Sequence, residues 1–127
     1  MTQEPREADY GLTISEWIAL VPGVLPIDAV GLWHILAAGR ERFNLEGQDL
    51  VDYVRRNIVV LLDAGAIPVE GSRGTSYPWI AKHDYGSTKG EITNSIVEEW
   101  QAMAGDQGYP YGLWFALPRT DPGYIKM

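Results

Sequence analysis

A chain of 127 residues is long enough for one domain of ordinary size and too short for two. Hydrophobic residues make up 46% of it and charged residues 21%, a balance typical of globular proteins rather than disordered ones. The absence of cysteine excludes disulfide bonds, thiolate metal sites and cysteine nucleophiles, while a formal net charge of −7 disfavours extensive contact with nucleic-acid phosphates.

The N-terminal residues show no targeting signal. Residues 1–9 are polar and acidic, without the basic and apolar regions of a signal peptide, and we predict that residues 1–11 form a loose tail. The longest strongly apolar run, residues 58–62, is far shorter than the ~20 residues that span a bilayer. The sequence therefore predicts a cytoplasmic protein with no membrane segment.

Two helices are predicted in the first third of the chain. Thr13 and Glu16 have the spacing of a capping box, and apolar residues follow at helical intervals until Pro22. Asp28 is the predicted N-cap of a second helix that runs to about residue 42, although Gly31 and Gly39 lower its helix propensity. The predicted apolar stripe of this second helix consists of Val30, Trp33, Leu36 and Ala37.

The third helix, residues 47–64, has the strongest pattern. Its apolar residues recur at steps of three and four: Leu50, Val51, Val54, Ile58, Leu61 and Leu62. Gly65 follows as its C-terminal stop. We expect a core in which Leu50, Val54, Ile58 and Leu61 pack with Trp33, Leu36, Ile96 and Trp100.

Strand signals and a further helix occupy the second half. Residues 66–70 and 77–82 are strand-like and predict a β-hairpin. Thr88 and Glu91 repeat the capping-box spacing before a fourth helix that ends at Gly105. Residues 112–117 read as a buried or edge strand, and residues 119–127 as a tail.

The predicted fold is α+β in a single domain, 1–127, with an ordered core of about 12–118. Three helices followed by a hairpin, over residues 13–82, resemble a winged helix-turn-helix. The resemblance implies that the third helix enters the DNA major groove. Residues 46–64, however, carry four carboxylates against two arginines, a net charge of −2. Asp49 and Asp52 lie in the first turns of that helix and would oppose phosphate binding, so we predict no specific nucleic-acid binding.

No catalytic residue, cofactor or metal ligand is predicted. His34 and His83 are not at metal-ligating spacing, and we interpret His34 as a partly buried packing residue and His83 as part of a turn. The glycine-rich segments 71–75 and 86–90 do not match a phosphate-binding loop, and there is no nucleophile-elbow motif. Dispersed carboxylates that meet only in the fold leave an enzyme as the third alternative.

The leading hypothesis is a non-enzymatic, acidic protein-binding module. Asp49, Asp52 and Arg56 share the solvent side of the third helix, and Tyr109 and Tyr111 form an aromatic edge suited to an interface. Such a chain would bind a basic protein, and its sharpest form is an immunity protein that neutralises a basic toxin or nuclease domain. The alternative is a winged-helix-like transcriptional regulator or dimerisation domain; the oligomeric state stays open.

Overall fold

The computed structural model describes residues 6–7, 10–26, 29–71, 79–102, 113–118 and 125–126. The helices are α1 (Ile14–Leu20), α2 (Leu32–Phe43), α3 (Gly47–Asp63) and α4 (Lys89–Ala102), and a 3₁₀ turn (Val21–Val24) follows α1. The strands are β1 (Val30–Gly31), β2 (Ile67–Gly71), β3 (Trp79–Ala81), β4 (Trp114–Ala116) and β5 (Ile125–Lys126). Three helices, a hairpin, a helix and a strand follow one another as predicted, and the α+β fold class is confirmed.

The strands form one small sheet in the order β1-β4-β2-β3-β5. The pairs β1–β4, β4–β2 and β2–β3 are antiparallel, and β5 lies parallel to β3. The predicted final strand is therefore an interior strand, since Phe115 pairs with Val30 on one side and with Pro68 on the other. Phe115 is fully buried, so β4 anchors the sheet to the core.

The predicted start of the second helix is wrong. Gly31, with extended backbone angles, is the N-cap of α2, and Val30–Gly31 is a strand. Pairing with β4 prevents the helix from starting earlier, because the Leu32 amide donates a hydrogen bond to the Leu113 carbonyl at 3.1 Å. Asp28, the predicted N-cap, lies outside the described residues.

The predicted core is confirmed with one exception. Val54, Ile58 and Leu61 of α3 are fully buried, together with the predicted residues Leu36, Leu50, Ile96 and Trp100. Trp33 is half-buried and stacks on the ring of His34 instead of joining this core. The buried positions of α2 are Leu32, Ile35, Leu36, Gly39 and Phe43, so its core face lies beside Trp33 rather than under it.

Both predicted capping boxes are present. In the first, the Glu16 amide donates to Thr13 Oγ1 at 3.1 Å and the Thr13 amide donates to Glu16 Oε1 at 2.8 Å. In the second, Thr88 and Glu91 exchange the same two bonds at 3.1 Å each. Backbone and side-chain hydrogen bonds from Thr88 and Ser87 lower the pKa of Glu91, which keeps this cap anionic at neutral pH.

Parts of both predicted tails belong to the fold. Arg6 forms an antiparallel bridge with Thr13, and the Glu7 carboxylate is buried. Glu7 Oε1 accepts hydrogen bonds from the amides of Tyr10 at 2.8 Å and Leu12 at 3.3 Å, and Glu7 Oε2 lies 3.6 Å from Arg42. At the other end β5 pairs with β3, although it lies within residues 119–127. A buried carboxylate with these partners fixes the turn before α1.

No helix in the described part of the chain has the length and apolar character needed to cross a bilayer.

Candidate binding site

A cavity of about 340 Å³ lies between α1, the 3₁₀ turn, α2 and α3. We call it the α1–α3 pocket. Its walls are mostly apolar and include Val21, Val24, Val30 and Ile35, with the rings of Trp17 and His34 beside them. Ligand sites in proteins are typically concave and apolar, with a few polar groups that fix orientation.

Two polar side chains of α3, Tyr53 and Asn57, line this pocket. They lie four residues apart, so they share one face of the helix. Both are buried, with exposed fractions of 2% for Tyr53 and 0% for Asn57. Asn57 Nδ2 donates a hydrogen bond to the Tyr53 carbonyl at 2.8 Å. Because a carbonyl only accepts, this contact fixes the amide orientation and leaves Asn57 Oδ1 as the remaining acceptor.

The two remaining polar atoms at this position are unsatisfied. Neither the Tyr53 hydroxyl nor Asn57 Oδ1 has a hydrogen-bond partner among the described residues. Buried polar atoms are nearly always paired in native proteins, and each unpaired one costs about 1–3 kcal/mol. Both atoms are inaccessible to water, so they lie in the packed interior next to the pocket and not on its open surface.

Burial moves the pKa of Tyr53 further above neutral pH. It raises the pKa of the phenol from 10.0 to about 12, while the nearby side chains of Asn57 and Trp17 act in the opposite direction. These two neighbours approach the hydroxyl without completing a hydrogen bond of acceptable geometry. At neutral pH the group is a neutral hydroxyl that can both donate and accept.

Gly39 of α2 determines how closely the helix approaches Tyr53. A Cβ atom at Gly39 would lie 2.8 Å from Tyr53 Cδ1 and Cε1 and 2.9 Å from Leu50 Cδ1. Any larger residue would displace the Tyr53 ring or separate the helices. A weak helix former therefore occurs inside α2 because α3 needs that space.

The pocket wall formed by Trp17 is held from the side by α2. The Trp17 and Phe43 rings meet edge to face with centroids 5.8 Å apart, and the Arg42 guanidinium lies 5.1 Å from the centre of the Trp17 ring. Both contacts orient the indole, since aromatic and cation–π contacts have preferred geometries.

His34 is exposed at the pocket rim. Its ring stacks on Trp33 with centroids 3.7 Å apart and meets the edge of Trp114 at 5.5 Å. These ring contacts agree with a packing role for His34, but the prediction that it is partly buried is wrong, because the side chain is exposed. His83 and Asp84 are both exposed and do not line this pocket.

An exposed apolar surface adjoins the pocket. Tyr10, Leu20 and Val24 are 77%, 62% and 44% exposed. Together with Leu12, Trp17 and Val21 they line a second concavity of about 540 Å³, and we call these six residues the apolar patch. The patch and the pocket share Trp17, Val21 and Val24, so the two concavities adjoin.

The predicted acidic site lies elsewhere on α3. Asp49, Asp52 and Arg56 are exposed, and none of them lines the pocket or the patch. Asp52 Oδ1 accepts a hydrogen bond from Gln48 Nε2 at 2.9 Å, and Arg56 Nη2 donates one to Ser15 Oγ of α1 at 2.8 Å. The predicted aromatic residues Tyr109 and Tyr111 lie outside the described residues.

The residues that the structure describes contain no group of three His, Asp or Glu side chains placed to hold a metal ion. Comparisons with protein-family models, with curated proteins and with solved structures find no match. Function must therefore be inferred from the residues of this chain.

Proposed function

We propose that this chain is a protein-binding module without catalytic chemistry of its own. One observation carries the proposal. Among the described residues, four large hydrophobic side chains are clearly exposed, and three of them, Tyr10, Leu20 and Val24, lie in the apolar patch. Contiguous apolar surface on a folded protein marks an interaction site far more often than scattered apolar residues do.

The charge of the chain supports a basic partner. A net charge of −7 attracts cations at long range, and the exposed Asp49 and Asp52 contribute to that field. In this proposal the negative charge speeds association with the partner, and contacts with the apolar patch supply most of the binding free energy. In its sharpest form the protein is a cytoplasmic inhibitor of the immunity-protein kind, which neutralises a basic toxin or nuclease domain.

The winged-helix alternative is favoured by one feature. Residues 44–46 join α2 to α3, the turn length of a helix-turn-helix, and Asn44 adopts the left-handed conformation there with a φ of 56°. The exposed Asp49 and Asp52 at the start of α3 work against phosphate contact. Nanomolar binding of duplex DNA at physiological salt, measured by fluorescence anisotropy, would favour the regulator over the protein-binding module.

The experiment starts from capture of the full chain's partner by crosslinking in the native cell, followed by binding kinetics with the purified pair. Tyr10→Ser combined with Leu20→Ser removes the two most exposed patch residues without touching the α1–α3 pocket. We expect the Kd to rise at least tenfold, since interface anchors contribute more than 1 kcal/mol each. The matched control is Val59→Ser, because Val59 is 39% exposed but lies outside the patch. Equal losses in both variants would contradict the proposal.

A second arm tests the charge. Asp49→Asn combined with Asp52→Asn removes two exposed carboxylates from α3. We expect slower association with a weaker salt dependence and little change in dissociation, because exposed charges act mainly on the encounter rate. Unchanged association at low salt would show that α3 does not steer the partner, and a captured partner without a basic surface would remove the electrostatic part of the proposal.

A further inference from the structure

We infer that Glu7 and Arg42 are positioning residues for the apolar patch and hold it in the arrangement that the partner binds. The inference rests on the protein-binding function proposed above and identifies the contacts that prepare the binding surface. Neither residue lines the patch. Each acts through residues that do, so both control the affinity by fixing the surface that the partner meets.

Glu7 fixes the backbone of the turn that carries two patch residues. Glu7 Oε1 accepts hydrogen bonds from the amides of Tyr10 at 2.8 Å and Leu12 at 3.3 Å. The main chain closes the same turn, because the Glu7 amide donates to the Leu12 carbonyl at 3.0 Å and the Gly11 amide donates to the Glu7 carbonyl at 3.1 Å. Bonds from amides to a carboxylate are charge-assisted and stronger than bonds between neutral groups. One carboxylate oxygen therefore holds the backbone at both patch residues.

Arg42 joins this turn to the helical side of the patch. Its guanidinium lies 3.6 Å from Glu7 Oε2 and 5.1 Å from the centre of the Trp17 ring. Trp17 is the patch residue on α1, whereas Arg42 is in the last turn of α2. The charged pair thus connects three of the six patch residues, which are Tyr10, Leu12 and Trp17.

This network positions surface residues rather than core residues. None of the described residues from Arg6 to Thr13 belongs to either hydrophobic cluster, and Tyr10 is 77% exposed. The Glu7 side chain is 0% exposed, and a buried carboxylate costs free energy that its partners must offset. The turn that it stabilises adds no apolar side chain to the core. What it supplies is an ordered surface, and a surface that is ordered in advance binds more tightly because less conformational entropy is lost on binding.

A purely structural role is the competing explanation. In that case Glu7 and Arg42 order the turn, but the partner does not depend on the turn. Both explanations predict that breaking the pair opens the turn in the free protein. Only the positioning role predicts a weaker complex, because the apparent Kd rises as the fraction of binding-competent molecules falls.

The first measurement needs no partner. Glu7→Gln replaces the carboxylate with a neutral amide of the same size, which cannot form an ion pair with Arg42. We expect the amides of Tyr10 and Leu12 in the full chain to lose their protection from hydrogen exchange, measured by NMR, while the amides of α3 exchange as in the wild type. The matched control Glu41→Gln removes an exposed carboxylate of α2 and should change neither. Retained protection at Tyr10 and Leu12 in Glu7→Gln would overturn the inference.

The second measurement is the Kd for the captured basic partner. We expect Glu7→Gln and Arg42→Gln each to raise the Kd at least about fivefold, and Glu41→Gln to change it by less than about twofold. The first two substitutions change the net charge in opposite directions, so a rise in both cannot come from electrostatic steering. Arg42→Lys keeps the charge that pairs with Glu7 and should raise the Kd less than Arg42→Gln does.

The outcomes separate this inference from the proposed function. Suppose that Glu7→Gln opens the turn but leaves the Kd unchanged, while Tyr10→Ser combined with Leu20→Ser weakens binding. The positioning role is then wrong, and the proposed function stands. If neither variant weakens binding, the partner does not use the apolar patch, and both are overturned.

Discussion

Two sets of side chains on α3 are equally buried but differ in chemistry: one set is apolar, and the other has polar atoms without hydrogen-bond partners. Val54, Ile58 and Leu61 are 0% exposed and belong to the main hydrophobic cluster, packed between α2 and α4. Tyr53 and Asn57 are just as inaccessible, yet they leave a hydroxyl and a carbonyl oxygen without partners beside a cavity. The first set stabilises the fold by burial alone, whereas in the second set the unpaired hydroxyl and amide oxygen offset part of what burial of the Tyr53 ring contributes.

The difference teaches that burial and hydrogen bonding must be assessed separately. A residue can be inaccessible to water and still leave a polar atom without a partner, because neighbours can fill the space around it without offering a donor or an acceptor. Unsatisfied buried polar atoms cost stability, so the second set is where side-chain packing and hydrogen bonding conflict in this helix.

The largest loss of stability should come from substitution in the first set, Val54, Ile58 and Leu61. Leu61→Ala removes a fully buried side chain, and we expect a loss of ~2–5 kcal/mol in the free energy of unfolding, measured by urea or guanidinium denaturation. Val59→Ala, on the 39% exposed residue of the same helix, is the control and should change stability by less than about 1 kcal/mol. Similar midpoints for the two variants would mean that α3 packs through another face.

An intermediate loss of stability is expected from a substitution at Gly39 of α2, which faces the Tyr53 ring. Gly39→Ala places a methyl group 2.8 Å from the Tyr53 ring, and overpacking of this kind costs ~1–3 kcal/mol. Alanine favours helices by up to ~1 kcal/mol, so the net loss should be smaller than that for Leu61→Ala. Gly90→Ala in α4 has open space around it and should be neutral or stabilising by thermal denaturation. A stabilising Gly39→Ala would show that Tyr53 can move into the pocket without cost.

At neutral pH the smallest change in the free energy of unfolding should come from the second set, Tyr53 and Asn57. Tyr53→Phe removes an unsatisfied hydroxyl, and we expect a change within about 1 kcal/mol at pH 7, against several for Leu61→Ala. The comparison changes with pH. The pKa of Tyr53 is raised from 10.0 to about 12 in the folded state, so its contribution is fully present below pH 10 and is lost as the pH rises through 12.

Denaturation at several pH values measures that loss. The wild type should lose up to about 3 kcal/mol from Tyr53 between pH 10 and pH 12, and Tyr53→Phe should lose correspondingly less. Tyr85 remains in both proteins, and its pKa is also raised, by burial and by a hydrogen bond and repulsion from Glu99. Some alkaline destabilisation will therefore persist in the variant. Identical pH profiles for the two proteins would mean that the phenol of Tyr53 is accessible to water.

The sequence predicted local features well and long-range pairing poorly. The observed bounds of α3 differ from the prediction at one end by a single residue, and both capping boxes form, because helical spacing and caps are encoded within a few residues. β1 and β5 were not predicted, since two-residue strands have no periodicity of their own and exist through pairing with β4 and β3.

The pocket was also not predicted, although the sequence contains a signal for half of it. Asn57 lies three residues after Val54 and four before Leu61, which places a polar amide inside the apolar face of α3. That position alone predicts a buried polar group. Its missing partner and the adjoining cavity depend on where α1 and α2 pack, which spacing within α3 cannot reveal.

The position of β4 in the middle of the sheet implies an order of assembly. The helices α1 to α3 are close in sequence, so their contacts can form early. β1 and β2 instead stay apart until Trp114–Ala116 arrives between them, more than forty residues after β2 ends. Until then each presents an unpaired edge to other chains. On a ribosome this protein would hold a nearly complete helical core while waiting for one short strand, and that interval is when it is most exposed to aggregation.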